Sequence, residues 1–251
     1  LDISNLETLS VRDNDREAIG SFARQVMHVL KDELRSITVY GSAVKDNYFP
    51  GSSDINVLLL VDDFTPGVMK KAAPVVKGYS GRSRISTYVA DVNDIQDSSD
   101  VFPIMYLDMK NYHRVLWGED ILNGLEIDPG NIRHDLERQV RNVSLRIRQM
   151  YMLSNYTAAE LRNILVSNFS GFSHYLAALL HLAGVEPPMK KEEIIRETAR
   201  VFRLDLSVLE RIMELKRGGN NPLKAEMQGM FDEYFLLVER IVEIVDKLEV
   251  V

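Results

Sequence analysis

The chain runs to 251 residues and 28.6 kDa, and 45% of its side chains are hydrophobic, enough for one large domain or two modest ones. Thirty Lys and Arg against thirty-seven Asp and Glu give a formal net charge of −7, which disfavours long nucleic acid as a partner but leaves room for a local basic patch that holds a nucleotide. The absence of cysteine excludes a disulfide framework, zinc–thiolate sites and thiol catalysis.

The opening stretch LDISNLETLSVRDNDRE is too acidic and polar for a signal peptide, and no run approaches the roughly 20 apolar residues of a membrane helix. A cytoplasmic protein with no membrane partner is expected. From about 14 to 34, Ile19, Phe22, Val26, Val29 and Leu30 recur at helical spacing and predict an amphipathic helix. Ile37 to Tyr40, stopped by Gly41, is a strand. A polar loop carrying Pro50, Gly51, Ser52 and Ser53 leads into INVLLLV, Ile55 to Val61, the most apolar run of the chain, which predicts a central strand. A second helix is expected from about Pro66 to Lys77, ending at Gly78, and a third strand from Arg84 to Ala90. Pro103 to Lys110 and His113 to Trp117 read as a pair of extended segments.

Beyond Asp128, a good N-cap with Pro129 at the first helical position, the pattern is helical throughout. Leu136, Val140, Val143, Ile147 and Met150 mark one helix, and Thr157 with Glu160 forms a capping-box pattern ahead of a second. Shorter helices are expected from about Lys191 to Phe202 and Leu206 to Lys216. After the GGNNP loop comes a last helix with a wide apolar face from Phe231 to Leu248. The expected organisation is a mixed α/β domain over 1–128 and an all-α bundle of five helices over 129–251, with a cleft between them.

The chemistry-bearing order is strand, Gly41-Ser42, a loop of eleven residues, Asp54-Ile55-Asn56, strand. Side chains alternate along a strand, so Asp54 and Asn56 share one surface while Ile55 and Val57 enter the core. Gly41 has no side chain to obstruct a close approach, and the Ser42 hydroxyl and nearby amides can donate to phosphate oxygens.

These residues resemble the signature of the DNA polymerase beta superfamily of nucleotidyltransferases: an apolar residue, Gly, Gly or Ser, about ten residues, then Asp, apolar, Asp or Glu. The likeness is carried by Val39-Tyr40-Gly41-Ser42 and SDINVLLLV and covers about Ile19 to Val61. FPIMYLDMKNYHRVLWGEDIL is similar to the segment leading out of the catalytic sheet in small members. A helical C-terminal domain is what the kanamycin nucleotidyltransferase and aminoglycoside adenylyltransferase branches possess.

The resemblance implies transfer of a nucleoside monophosphate from a nucleoside triphosphate to a hydroxyl on a small molecule or a protein, assisted by Mg²⁺. It implies Asp54 and Asn56 as the catalytic and metal-bearing pair, and Gly41, Ser42, Lys45 and Ser53 as nucleotide-binding residues. The pattern departs from the family at Asn56, where an amide replaces the second carboxylate. A third carboxylate is expected on the 84–90 strand, where Ser86 or Thr87 stands at the place for it; Asp91 serves only if the strand is shifted. The alternative is a catalytically inactive nucleotide-binding or partner-regulating module.

Blander readings compete residue by residue. Asn56 also reads as a half-exposed amide satisfying a turn; Lys45, Arg82 and Arg84, which this fold would place within reach of phosphates, also read as solvated surface bases. Arg138, Arg141 and Arg148 read as a solvated helix face, and Asp108 with Glu119 and Asp120 as caps and turns. No GxxxxGK[ST], GxGxxG or HExxH motif is present. The acceptor, the base and homo-oligomer formation stay open.

Overall fold

The computed structural model describes residues 3–45, 48, 53–81, 83–219 and 222–248. They form two compact units, one ending at Ile127 and the other beginning at Asp128. The first unit runs α1 (Asp13–Leu30), β1 (Leu34–Tyr40), β2 (Ile55–Val61), α2 (Pro66–Ser80), β3 (Ile85–Asp91), α3 (Val92–Ser98), α4 (Pro103–Asn111) and β4 (His113–Gly118). Its sheet has the order β3-β2-β1-β4. β1 pairs antiparallel with both β2 and β4, whereas β2 pairs parallel with β3 across the α2 connection.

Six of the seven β2 residues are apolar because both faces of the strand are covered. Ile55, Val57, Leu59 and Val61 join Ile37 and Val39 of β1 against Ile19, Phe22, Val26 and Leu30 of α1 and Val68 and Ala72 of α2. Leu58 and Leu60 face the other way, onto Ile95 of α3, Tyr106 and Met109 of α4, and Leu122 and Leu125. A strand with water on neither face has no use for alternation.

Two expected elements differ. The Pro103 to Lys110 stretch is helical, not extended: Pro103 opens α4 in its first turn, where a missing N–H costs nothing, and Ile104, Tyr106, Leu107 and Met109 are buried. Helix α2 does not stop at Gly78 but continues to Ser80. Tyr79 anchors that last turn, its ring edge-on to Phe22 at 5.4 Å and its hydroxyl 2.7 Å from that of Ser21 and 2.8 Å from the amide of Gln25. Helix α3 is an element that the sequence pattern did not suggest.

The second unit consists of α5 (Pro129–Met152), α6 (Ala158–Leu182), α7 (Lys191–Phe202), α8 (Ser207–Lys216) and α9 (Lys224–Asp246). Ile132, Leu136, Val140, Val143 and Ile147 form the buried stripe of α5. Asp128 caps α5 by accepting from the amide of Asn131 at 3.1 Å. Thr157 and Glu160 close a reciprocal capping box at α6. On α9 the buried face is Met227, Met230, Phe231, Tyr234, Leu237, Val238, Ile241 and Val245. Phe235 is only half-buried and lies under the Arg148 guanidinium at 5.6 Å. Among the described residues no helix is long and apolar enough to cross a membrane.

The α6 cap is directly testable. Thr157→Ala should destabilise the helical unit by about 1 kcal/mol, because it removes the acceptor for the Glu160 amide. The shift would be read from urea unfolding followed by helical circular dichroism; an unchanged midpoint would mean that the cap contributes nothing.

Candidate functional site

The site is built where β1 ends and β2 and β3 begin. Gly41 leaves β1 with φ of +76°, and a Cβ placed there would stand 3.2 Å from the Asn56 side-chain nitrogen. Both facts call for glycine. Its amide donates to the Tyr112 carbonyl at 2.9 Å, and its own carbonyl accepts from Val44 at 3.0 Å and Lys45 at 3.1 Å. Ser42 rides on the resulting 3₁₀ turn, Gly41–Ala43, and is half-buried.

Lys45 is not solvated. Its side chain is 8% exposed, and the ammonium donates to Asp108 Oδ1 at 2.6 Å while lying 3.7 Å over the Tyr112 ring. Asp108 and Tyr112 come from α4 and its C-terminal cap, so the element misread as extended is the one that supplies the lysine's anion and its aromatic face. A helix starting at Pro103 would have put these two, four residues apart, on one side; that was the available signal. Nearby, burial, with Tyr88 and the Asp108 carboxylate adding to it, pushes the Tyr40 phenol up to about 12. It stays a neutral hydroxyl throughout the physiological range.

Asp54 lies immediately before β2 and Ser53 at the bend preceding it. The Asp54 carboxylate accepts from Arg84 Nε at 3.1 Å, with side-chain exposures of 60% for Asp54 and 40% for Arg84. Arg84 has φ of 54°, in the left-handed region, and its carbonyl accepts from Ile55 at 3.0 Å, beginning the β2–β3 ladder. Leu58 and Leu60 belong to the core on the α3 and α4 side, so alternation puts Asn56 on that same side of β2. In register, Asn56 lies between Tyr40 of β1 and Ser86 of β3.

The other expected residues do not complete a carboxylate set. Thr87 falls on the opposite face to Ser86, with its hydroxyl buried and without a hydrogen-bond partner among the described residues. Asp91 pairs with Val61, five rungs beyond Asn56, about 16 Å along the sheet at roughly 3.3 Å per residue. There it caps α3, accepting from the amides of Asp94 at 2.8 Å and Phe64 at 3.2 Å, which hold its carboxyl below the usual range. The shifted-strand alternative is therefore corrected: Asp91 is a helix cap at the far end of β3. Pro50, Gly51 and Ser52 of the loop and Arg82 lie outside the described residues. The arginines of α5 are engaged within the helical unit, Arg138 to Asp135, Arg141 to Glu137 and Asp246, and Arg148 to Glu239. Asp120 accepts from the Asn123 amide and meets His113, and Glu119 pairs with Arg35.

A pair of divalent cations, which the resemblance implies, does not fit these residues. Among the described residues, one carboxylate already engaged by a guanidinium, one amide and one hydroxyl stand at the position, and a hard dication prefers several charged oxygens. No cluster of three or more acidic or imidazole side chains able to hold a metal occurs among the described residues.

No family model matches the chain, and no curated protein matches it either. Among solved structures it is similar to spectinomycin adenyltransferase AAD(9) from Enterococcus faecialis, crystallised with ATP and spectinomycin. The two share 15% identity over 92% of this chain and 99% of that one, with a TM-score of 0.58. The fold is that of a nucleotidyltransferase. An α/β unit followed by a helical unit is thus established as an architecture, at an identity that speaks for the fold alone.

The Lys45–Asp108 pair gives a second prediction. Asp108→Leu should cost about 3 kcal/mol by leaving a buried ammonium without its anion, whereas Lys45→Met/Asp108→Leu should cost less than either single change. Chemical denaturation of the three variants measures this; strictly additive losses would show that the pair is not coupled.

Proposed function

We propose that this chain is a nucleotidyltransferase-fold protein that binds a nucleoside triphosphate at the Gly41–Ala43 turn and the Asp54–Asn56 strand start, with its transfer centre degraded. The observation that carries the reading is the β2–β3 register, which sets Ser86 beside Asn56 where a third carboxylate is needed. The phosphates would meet the turn amides, the Ser42 hydroxyl and the Arg84 guanidinium, and Ser53 stands at the bend beside them. Lys45 supports the turn from beneath, because its ammonium is already engaged by Asp108.

In-line attack on an α-phosphate needs the acceptor hydroxyl deprotonated and the developing charge neutralised. Asp54 alone provides neither in full: its charge is shared with Arg84, and the neighbouring Asn56 and Ser86 bring none. Each missing charge-stabilising contact slows such a step by roughly a hundredfold or more. Mg²⁺ enters this reading only as the counter-ion of the triphosphate, with no resident site on the protein.

The second reading is a working transferase acting on a hydroxyl of a small molecule or a protein. It is supported by the fold shared with an adenyltransferase. The assays separate the two. Calorimetric titration with ATP in magnesium buffer should show binding to the wild type, and Ser42→Asp should weaken it at least about tenfold by setting a carboxylate against the phosphates. Incubation with labelled ATP, GTP, CTP or UTP and a broad acceptor panel, the protein itself included, should release pyrophosphate very slowly or not at all. Rapid release that depends on Asp54 would establish the transferase instead, and equal ATP affinity of the Ser42→Asp variant would place the nucleotide elsewhere.

A further inference from the structure

We infer that the Arg84 guanidinium stands in for a divalent cation at Asp54, so that this site holds the phosphates of its nucleotide without metal. The inference rests on the nucleotide-binding reading above and narrows it to the metal-free form of the ligand. Asp54 and Arg84 each sit one residue ahead of a strand, and the parallel ladder begins between them, with the Ile55 amide donating to the Arg84 carbonyl at 3.0 Å. That bond fixes the two residues side by side. Arg84 holds a left-handed φ of 54°, an uncommon conformation for a residue other than Gly, and from there Nε reaches Asp54 Oδ1 at 3.1 Å.

Asp54 meets Arg84, and Asp108 meets Lys45. A dication arriving at Asp54 would have to separate it from the guanidinium, gaining in return only the neutral oxygens of Asn56 and Ser86. A phosphate chain carries the sign of charge that the guanidinium attracts, and needs only an exchange of hydrogen-bond partners there. A guanidinium is a fixed fork of donors that suits carboxylate and phosphate alike and stays charged at every working pH. Asp54 is then a positioning residue for Arg84, and the turn at Gly41–Ala43 adds amide donors opposite it.

The test uses the full chain and ATP, titrated by calorimetry in a buffer with EDTA and in one with Mg²⁺. Wild-type affinity should differ by less than about threefold between the buffers, Arg84→Ala should lose about tenfold or more in EDTA, and Arg84→Lys should recover part of the loss. Arg84 is exposed enough that its removal leaves the core untouched. Binding by the wild type only in Mg²⁺, or unchanged binding by Arg84→Ala in EDTA, overturns this inference and leaves the nucleotide-binding reading standing. Binding in neither buffer overturns both. Mn²⁺ alone, followed by the electron paramagnetic resonance of the free ion, gives a readout that needs no nucleotide. Wild type and Asn56→Asp should leave it free, and Asn56→Asp/Arg84→Ala should take it up; equal uptake by Asn56→Asp alone would show that Arg84 does not keep the cation out.

Discussion

The parallel register of β2 and β3 is the constraint on which the candidate site depends. Ile55 pairs with Ile85, and every later pair follows, so the residues available beside Asp54 and Asn56 are decided by which residues happen to begin β3. One rung in either direction would exchange the faces of the whole strand, sending Ser86 into the α1 and α2 core and Thr87 out to the site. The slip is opposed by Ile85 and by the two-sided burial of β2, whose apolar side chains are enclosed on both faces. Hydrophobic packing thereby fixes a polar arrangement that it does not touch.

Electrostatically the site differs from a metal centre in how its negative charge is neutralised. A centre of two cations gathers carboxylates whose mutual repulsion only the metals relieve, so it is incomplete without them. Here, among the described residues, Asp54 has Arg84 and Asp108 has Lys45 as a neighbouring base of the chain itself. On the reading proposed above, such a site binds anions by exchange of hydrogen-bond partners rather than by recruiting cations first, which would suit recognition of a phosphate chain better than cleavage of one.

Much of this was legible in the sequence, for identifiable reasons. β2 announced itself by five apolar residues in a row, Val57 to Val61, and α5 and α6 by their periodic stripes and their caps at Asp128 and Thr157. The likeness of the Gly-Ser turn and the Asp-Ile-Asn strand start to the nucleotidyltransferase signature pointed to the fold that the comparison with a solved structure supports. The α4 segment was obscure because nine residues with five of them buried show neither a clean period of 3.6 nor one of two. With α4 went Asp108 and Tyr112, and so the burial of Lys45. Arg84 was legible as a base within reach of phosphates, but its pairing with Asp54 was not: a left-handed conformation just ahead of a strand has no marker when the residue is neither Gly nor Asn. The role of Asp91 turned on a strand boundary one residue beyond the expected one, which made it a cap.

The glycine that opens the turn bears on how such chains are recognised at all. Its left-handed φ and the Asn56 amide within 3.2 Å of the absent Cβ are demands of the backbone path and of packing, and they hold whether or not a phosphate ever arrives. A protein of this fold that has given up group transfer therefore cannot give up Gly41 without rebuilding the junction between β1 and the turn. The glycine half of the motif reports architecture, and only the acidic half reports chemistry. Searches keyed to the first will gather active and silent members together, and sorting them requires following the ladder from the second acidic position to whatever stands beside it on the next strand.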